Sequence, residues 1–420
     1  MIAESQQSGR HYYTLHSAAW VVPINAPPID NGAVLVSGDS IVAVGRRRDL
    51  KSAGMPAAKE SDHGDAAICP ALVNAHTHLE LSWLDGQVLL PQAGFAPWLK
   101  ELFRQRSLVT EERQAAGRLQ GQRQVQAGGA ALYADVSNGL DLTLAGQKSF
   151  PVSCTFWELL GFDRYNLEAA VGPDGAQALH SDDPAFCLAA HACYSTSAEV
   201  IRLAKAWCRN KNRPFSIHLA EHPEEIRFLR NGDGFCRELL QTLGRWVAGW
   251  APPRMTPVEY LDHLGVLDED TLLVHAVHMS DSDWQIVSRK GCRVCFCPRS
   301  NANLSVGRPA IGKCLRLGID ACLGTDSLAS NTDLGLFSEA HYVLEHYSDV
   351  APDSLLLMMT LGGAAALKQG QGFGSLESGK RSTFLAVSLP GGSSPAHLAE
   401  RIIGQGHKGE WKWINSPQLN

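Results

Sequence analysis

Apolar residues fall into two kinds of pattern along this chain. Over residues 33–44 the text AVLVSGDSIVAV sets two short apolar runs around Ser-Gly-Asp-Ser, which predicts a β-hairpin. After a polar, Ala-rich stretch through Asp65, uninterrupted apolar runs alternate with amphipathic segments as far as Ala366. Runs without polar alternation predict strands buried on both faces, as in a parallel sheet. They cover 67–73, 130–136, 152–157, 186–190, 215–219, 271–274, 293–296 and 319–323, and eight is the number a closed β/α barrel requires. Between them, segments such as 198–208 place Val200, Ile201, Leu203, Ala204 and Trp207 on one helical face, predicting the outer ring.

Past Ala366 the pattern changes: Gly370, Gly372 and Gly374 punctuate a turn, and 382–389 reads as a strand followed by Pro390-Gly-Gly-Ser-Ser. This tail is like the N-terminal region in character, so the two ends are expected to fold together. The predicted organisation is an α/β fold, a (β/α)8 TIM-like barrel over 67–374, with a small composite β domain formed by 1–66 and 375–420. No internal repeat of fixed period interrupts it.

Composition narrows the function. With 45% hydrophobic residues in 420, a sizeable core is available, and a net charge of −6 with scattered Lys and Arg argues against a nucleic-acid partner. The polar N-terminus lacks the apolar core of a signal peptide, and no segment has the roughly 18 apolar residues of a membrane span. A cytoplasmic protein with a small-molecule substrate is expected, its 11 cysteines reduced. Cys292, Cys295 and Cys297 cluster, but in an apolar run that reads as a buried strand rather than a metal site.

The strongest chemical feature is Asn74-Ala-His76-Thr-His78, directly after the first apolar run. On extended backbone, side chains two apart project to one side, so His76 and His78 can hold one metal together. Other polar groups recur at equivalent places: His218 and Glu221 after the fifth run, His275 closing the sixth, Asp326 after the eighth. The C-terminal ends of barrel strands are where such folds carry active sites. Each alone reads equally as a core residue or a cap; their joint placement does not.

The set Pro70-Ala-Leu-Val-Asn-Ala-His76-Thr-His78, His218-Leu-Ala-Glu221, His275-Ala-Val-His278, Cys297-Pro-Arg-Ser-Asn301 and Gly324-Thr-Asp326-Ser resembles the amidohydrolase superfamily, in its branch of deaminases and chlorohydrolases. The resemblance implies His76, His78, His218 and Asp326 as metal ligands, Glu221 as proton shuttle, and His275 as partner of the activated water or substrate. Asp326 is also implied as an acceptor of that water's proton. Three imidazoles and a carboxylate suit one divalent ion, zinc ahead of iron, whose open position lowers the pKa of a water to roughly 7. Hydroxide attack on an aminated ring carbon and release of ammonia would follow, with a non-catalytic metal-binding barrel as the reading of another class. Binuclear relatives carry a modified lysine on the fourth strand, where this chain has Leu188-Ala-Ala-His191, so one metal is expected. The smaller nucleoside deaminases pair H-x-E with P-C-x-x-C; His78-Leu-Glu80 supplies the first, but the chain has no Pro-Cys pair.

Substrate contacts follow from the same resemblance. His191-Ala-Cys-Tyr194-Ser is similar to a substrate-contacting segment, Arg299 and Asn301 lie where relatives line the pocket, and Trp98 is a candidate to cover a purine ring, with packing as the competing reading. Adenosine-type relatives place a ribose-binding glutamate where this chain has Ser107, flanked by Arg104 and Arg106. The text Ala75-His-Thr-His-Leu-Glu80-Leu-Ser with Gly324-Thr-Asp-Ser-Leu-Ala-Ser-Asn331 looks closest to aminodeoxyfutalosine deaminases of menaquinone biosynthesis, whose substrate is an adenine nucleoside bearing a benzoate. Arg104, Arg106 and Arg299 are then candidates to meet a carboxylate. Adenosine, S-adenosylhomocysteine, methylthioadenosine, guanine, 8-oxoguanine and triazine substrates are the alternatives. The expected partners are a small heterocyclic substrate and, at most, a second copy in a homodimer.

Overall fold

The structure, a computed structural model, describes residues 13–52, 58–87, 94–138, 150–176 and 178–415. The polar N-terminal stretch read above lies outside the described residues up to residue 12. The chain divides into two units, one from residues 1–71 and 371–418, the other from 72–370 with 419–420. Its strands are numbered β1 to β15 along the chain.

The first unit contains β1 (Tyr13–Val21), β2 (Ile29–Ser37), β3 (Ser40–Arg46), β4 (Ala58–Asp62), β5 (Ala66–Pro70), β14 (Phe384–Ser388) and β15 (Trp411–Ile414). The predicted hairpin is β2–β3, with Ser37 opposite Ser40 and Gly38 at φ +56 in the turn, a conformation glycine takes without strain. Along β2 the side chains alternate. Val34 and Val36 join Ile41, Ile68, Phe384 and Ile414 in one core, while Ala33 and Leu35 meet Leu15 on the other face. β14 pairs antiparallel with β5, so both ends of the chain share one sheet in the order β15-β14-β5-β1-β2-β3, with β4 on β1. A helix absent from the sequence reading, Leu398–His407, buries Leu398, Ala399, Ile402 and Ile403.

The second unit holds β6 (Leu72–Thr77), β7 (Ala130–Ser137), β8 (Val152–Leu159), β9 (Phe186–Ala192), β10 (Phe215–Leu219), β11 (Thr271–His275), β12 (Arg293–Phe296) and β13 (Ala321–Leu323). They form one parallel sheet in sequence order, and a bridge from Thr77 to Asp326 joins its two edges. This is the expected (β/α)8 barrel, with helices between successive strands among the described residues except from β7 to β8, where residues 139–149 lie outside them. The helix Ala198–Asn210, for example, starts at the Ser197 cap, whose hydroxyl accepts from Val200 N at 3.2 Å, and buries Val200, Ile201, Ala204 and Cys208.

One boundary is corrected. Residues 67–73 are not a single barrel strand: β5 ends at Pro70 in the terminal sheet, and the first barrel strand runs from Leu72 to Thr77. Every residue from Ala66 to Thr77 is buried, so no change of periodicity marks where one sheet ends and the other begins. All eleven cysteines are buried and free, with Cys295 inside β12 as the buried-strand reading expects. Among the described residues no helix is long and apolar enough to cross a membrane.

The loop after β6 is clamped by a glycine. In the helix Glu111–Ala127, a Cβ at Gly117 would stand 2.5 Å from the Trp83 backbone nitrogen, so only glycine lets this helix lie against the 3-10 turn Leu79–Leu84 that follows His78.

Candidate active site

The imidazoles of His76, His78 and His218 converge at the C-terminal ends of β6 and β10. The Nε2 atoms of His78 and His218 are 3.2 Å apart, and those of His218 and His76 3.3 Å apart. His218 Nδ1 donates to the His191 carbonyl at 2.8 Å, and a carbonyl only accepts, so its Nε2 presents a lone pair to the other rings. Burial, with neighbouring imidazoles, holds His76 and His218 well below the ordinary histidine range and keeps them neutral. Neutral nitrogens crowding one point repel unless a cation lies between them, and Asp326 Oδ1 faces the same point at 3.8 and 3.7 Å from His76 and His78 Nε2. The donor set therefore fits a divalent metal.

Asp326 is oriented from behind. Its Oδ2 accepts from Ser300 Oγ at 2.6 Å and Ser330 Oγ at 2.8 Å, leaving Oδ1 toward the histidines. Burial opposes its charge, yet His78, His275 and His76 with the Ser300 hydrogen bond prevail and hold the carboxyl below its ordinary range. Gly324 permits this approach, since a Cβ there would come 2.7 Å from the His76 Cβ. A second trio, Glu158, His191 and His218, also lies within 4.8 Å, but His218 Nδ1 is already committed to the His191 carbonyl.

Glu221 follows β10 by two residues. Its Oε1 lies 3.6 Å from His275 Nε2, and burial, reinforced by Asp326 and Glu225, pushes its carboxyl well above the ordinary range. His275 is held by the Asn301 amide, which contacts Nδ1 at 3.1 Å, and burial lowers the ring to about 4, so it is neutral. Backbone strain concentrates here. Of eleven non-glycine residues with positive φ among the described residues, four are Ala220 (+48), His275 (+74), Ala276 (+47) and Asp326 (+59). Such conformations cost of order 1–3 kcal/mol each and persist where the surroundings impose them, as Ala276 N to Leu219 O (3.0 Å) and Asp326 N to His76 O (3.1 Å) do.

A cavity of about 700 Å³ opens over these groups, lined by His78, His218, Glu221, His275 and Asp326 at the histidine cluster and by Trp98 and His191 beyond it. The Trp98 ring is buried with Phe95, Leu102 and Leu304, its Nε1 donating to the Ala329 carbonyl at 2.8 Å, so it packs and lines the cavity at once. His191 bonds Ser195 Oγ at 2.6 Å, and burial drops it to about 3.

Three expected substrate contacts are not among the residues that line the cavity. Arg104 lies outside the cavity, on the exposed face of the helix Phe95–Arg106, forked onto Glu101 at 2.8 and 2.6 Å. Asn301 does not line the cavity; its amide nitrogen contacts His275, while its buried Oδ1 has no hydrogen-bond partner among the described residues. Arg299 turns from the cavity to Asp333 at 2.7 and 3.1 Å and to Thr332, and stands 3.7 Å from the fully buried Glu339. Glu339 also accepts from Asn331 at 2.6 Å and from the Arg299 backbone at 3.1 Å. Removing the guanidinium leaves a buried carboxylate without its cation, so Arg299→Ala is expected to lower stability by about 3 kcal/mol in denaturant unfolding while leaving KM unchanged. A KM increase at unaltered stability would restore Arg299 as a substrate contact.

Several residues lining the cavity escaped the sequence reading as site residues, Glu80, Glu158 and Arg245 among them. Glu80 accepts from Ser137 Oγ (2.7 Å), the Asn138 backbone (3.2 Å) and Arg106 (3.2 Å). Arg106, read only as a carboxylate candidate, is thereby fixed at the cavity wall. Glu158, at the end of β8, is buried 3.6 Å from His218 Nδ1, its Oε1 without a hydrogen bond, and burial raises it to about 7. A charge inside an apolar strand was its signal in the sequence. Arg245 lines the cavity with no motif around it, and Tyr194 lines it from the segment read as similar to a substrate-contacting one.

Comparison with known proteins follows the geometry. A profile of the amidohydrolase family matches residues 67–412. An aminodeoxyfutalosine deaminase of Deinococcus radiodurans is 30% identical over 350 residues, 79% of this chain and 80% of its own. A 5-methylthioadenosine/S-adenosylhomocysteine deaminase of Nitratidesulfovibrio vulgaris is 30% identical over 379 residues, 86% of this chain and 81% of its own. A zinc-bound adenosine deaminase from Xanthomonas campestris shares the fold, with a TM-score of 0.77 at 24% identity over 93% of this chain and 88% of that one. With the profile covering most of the chain and the histidine, glutamate and aspartate positions at the expected strand ends, the chain belongs to the amidohydrolase family.

Proposed function

We propose that this chain is a metal-dependent aminohydrolase that removes the amino group from the purine of a nucleoside, with aminodeoxyfutalosine as its substrate and menaquinone biosynthesis as its setting. The observation that carries the reading is Glu221 beside the histidine–aspartate cluster, because metal binding alone needs no such carboxyl. His76, His78, His218 and Asp326 would hold one divalent ion, zinc ahead of iron, as in the zinc-bound adenosine deaminase that shares the fold. When bound, such an ion with an open position lowers the pKa of a water to roughly 7.

The chain's own groups supply the proton transfers. Glu221, protonated through burial, gives its proton to the ring nitrogen next to the carbon under attack, takes up the proton of the newly added hydroxyl as that oxygen becomes the carbonyl, and passes it to the departing amine, which leaves as ammonia; the proton held by Asp326 then returns Glu221 to its starting form. His275, neutral with Nε2 toward Glu221, orients that carboxyl and the water. Asp326 Oδ1, ionised and free of the serines, accepts the water's proton. Trp98 and the apolar wall exclude bulk water from the ring.

Support for the benzoate-bearing substrate comes from the Deinococcus relative and from Ser107, which lines the cavity where adenosine-type relatives place a ribose-binding glutamate. The Nitratidesulfovibrio relative, equally identical over more of the chain, favours methylthioadenosine or S-adenosylhomocysteine as the second reading. Ammonia release from aminodeoxyfutalosine, adenosine and methylthioadenosine separates them. Aminodeoxyfutalosine is expected to exceed both in kcat/KM by about ten- to a hundredfold, the value of one charge-assisted contact. Equal efficiencies, or preference for an uncharged nucleoside, would sink that substrate and leave the deaminase chemistry standing.

A further inference from the structure

Two arginines line the cavity, and their surroundings differ. Arg106 is neutralised by Glu80 and tied to Asn138 at 3.0 Å. Arg245 is half-buried and, among the described residues, has no ion pair, side-chain hydrogen bond or aromatic face. Its backbone is fixed all the same: Arg245 N donates to Leu240 O at 2.8 Å, closing the helix Phe235–Thr242 and setting where the side chain starts. Of the acids lining the cavity, Glu80 is taken up by Ser137 and Arg106 and Asp326 by Ser300 and Ser330, Glu221 faces His275, and Glu158 and Glu225 are buried, each with an oxygen that has no hydrogen-bond partner among the described residues.

Apolar side chains line the same cavity as Arg245. Leu239 and Leu243 come from the same segment, and Phe103 from the helix Phe95–Arg106; Phe103 and Leu243 keep 39% and 43% of their surface exposed at the cavity. A cation half withdrawn from water against hydrocarbon is stabilised by an anion that arrives with its own apolar stem, and a guanidinium forks onto a carboxylate with two parallel hydrogen bonds.

We propose that Arg245 is a specificity-determining residue that binds a carboxylate carried on an apolar arm of the nucleoside, with Leu239, Leu243 and Phe103 packing along the arm. The proposal rests on the deaminase reading and adds what that reading does not assign, the residue that recognises the charge. Both a benzoate arm and an amino-acid arm end in a carboxylate; the apolar wall favours the first.

The test compares wild type, Arg245→Gln and Arg245→Lys on aminodeoxyfutalosine, its carboxamide, S-adenosylhomocysteine and methylthioadenosine. Arg245→Gln is expected to lose about ten- to a hundredfold in kcat/KM on aminodeoxyfutalosine, mainly through KM, and at least tenfold more than it loses on the carboxamide or on methylthioadenosine. Arg245→Lys should recover part of the loss, since it keeps the charge without the fork. A comparable loss on S-adenosylhomocysteine would assign the arginine to the amino-acid arm instead and overturn the apolar-arm assignment. Equal losses on charged and uncharged substrates, or none on aminodeoxyfutalosine, would overturn the proposal. Calorimetric binding of aminodeoxyfutalosine to wild type and Arg245→Gln reads the same contact without turnover. Wild type that binds it tenfold more tightly than the variant yet releases no ammonia would refute the deaminase reading alone, and equal affinities would refute the arginine's role.

Discussion

Replacing Glu221 with glutamine is expected to lower turnover at least about 10²-fold while leaving the metal content unchanged, because the amide keeps the shape of the side chain and removes the proton it must deliver. The structure sharpens this expectation. Glu221 is not one of the converging donors of His76, His78 and His218, so its loss does not open the metal site. Burial, with Asp326 and Glu225, holds it above its ordinary range, which favours the protonated form a shuttle needs. Turnover and metal analysis on one preparation decide the matter. A variant with near wild-type turnover removes Glu221 as the shuttle, and one that has lost its metal assigns it a structural role instead.

Removing the metal is expected to cost more. Dialysis against a chelator should lower ammonia release at least about 10³-fold, since no group of the chain can by itself bring the pKa of water from 15.7 to near 7. Zinc should restore it. Because the same ion satisfies nitrogens that otherwise crowd at 3.2 and 3.3 Å, its loss should also lower the thermal midpoint. Asp326→Ala should weaken metal retention and leave Ser300 and Ser330 without their acceptor. Undiminished turnover in protein shown by elemental analysis to hold no metal would end the metal-dependent mechanism, whatever the fate of the fold.

Much of this was legible in the residues alone. The barrel could be read because strands buried on both faces are apolar without interruption, and such runs keep that signature whichever neighbour they pair with. His76, His78, His218 and Asp326 could be read because a polar group that ends an apolar strand must go to the strand's end, and in a barrel all the C-terminal ends share one mouth. The terminal β domain was legible as character only; its sheet order rests on the pairing of β14 with β5, partners more than three hundred residues apart in sequence.

Tertiary packing decided the rest. The continuous buried run from Ala66 to Thr77 carries nothing to show that two sheets divide it. Arg104 and Arg106 are both candidates by composition, but two positions on a helix are turned by about 200°, so when the helix Phe95–Arg106 packs, one faces Glu80 and the cavity and the other solvent. Arg299 sits inside a motif of the family, yet the buried Glu339, forty residues further on, draws it away. Arg245 belongs to no motif, and what singles it out is that it lines the cavity with no ion pair or side-chain hydrogen bond among the described residues. Strand ends and the polar groups they carry follow from local pattern, because that pattern is a property of a few consecutive residues. Which charges meet substrate and which meet one another follows from distances between remote segments, and those exist only once the chain has closed.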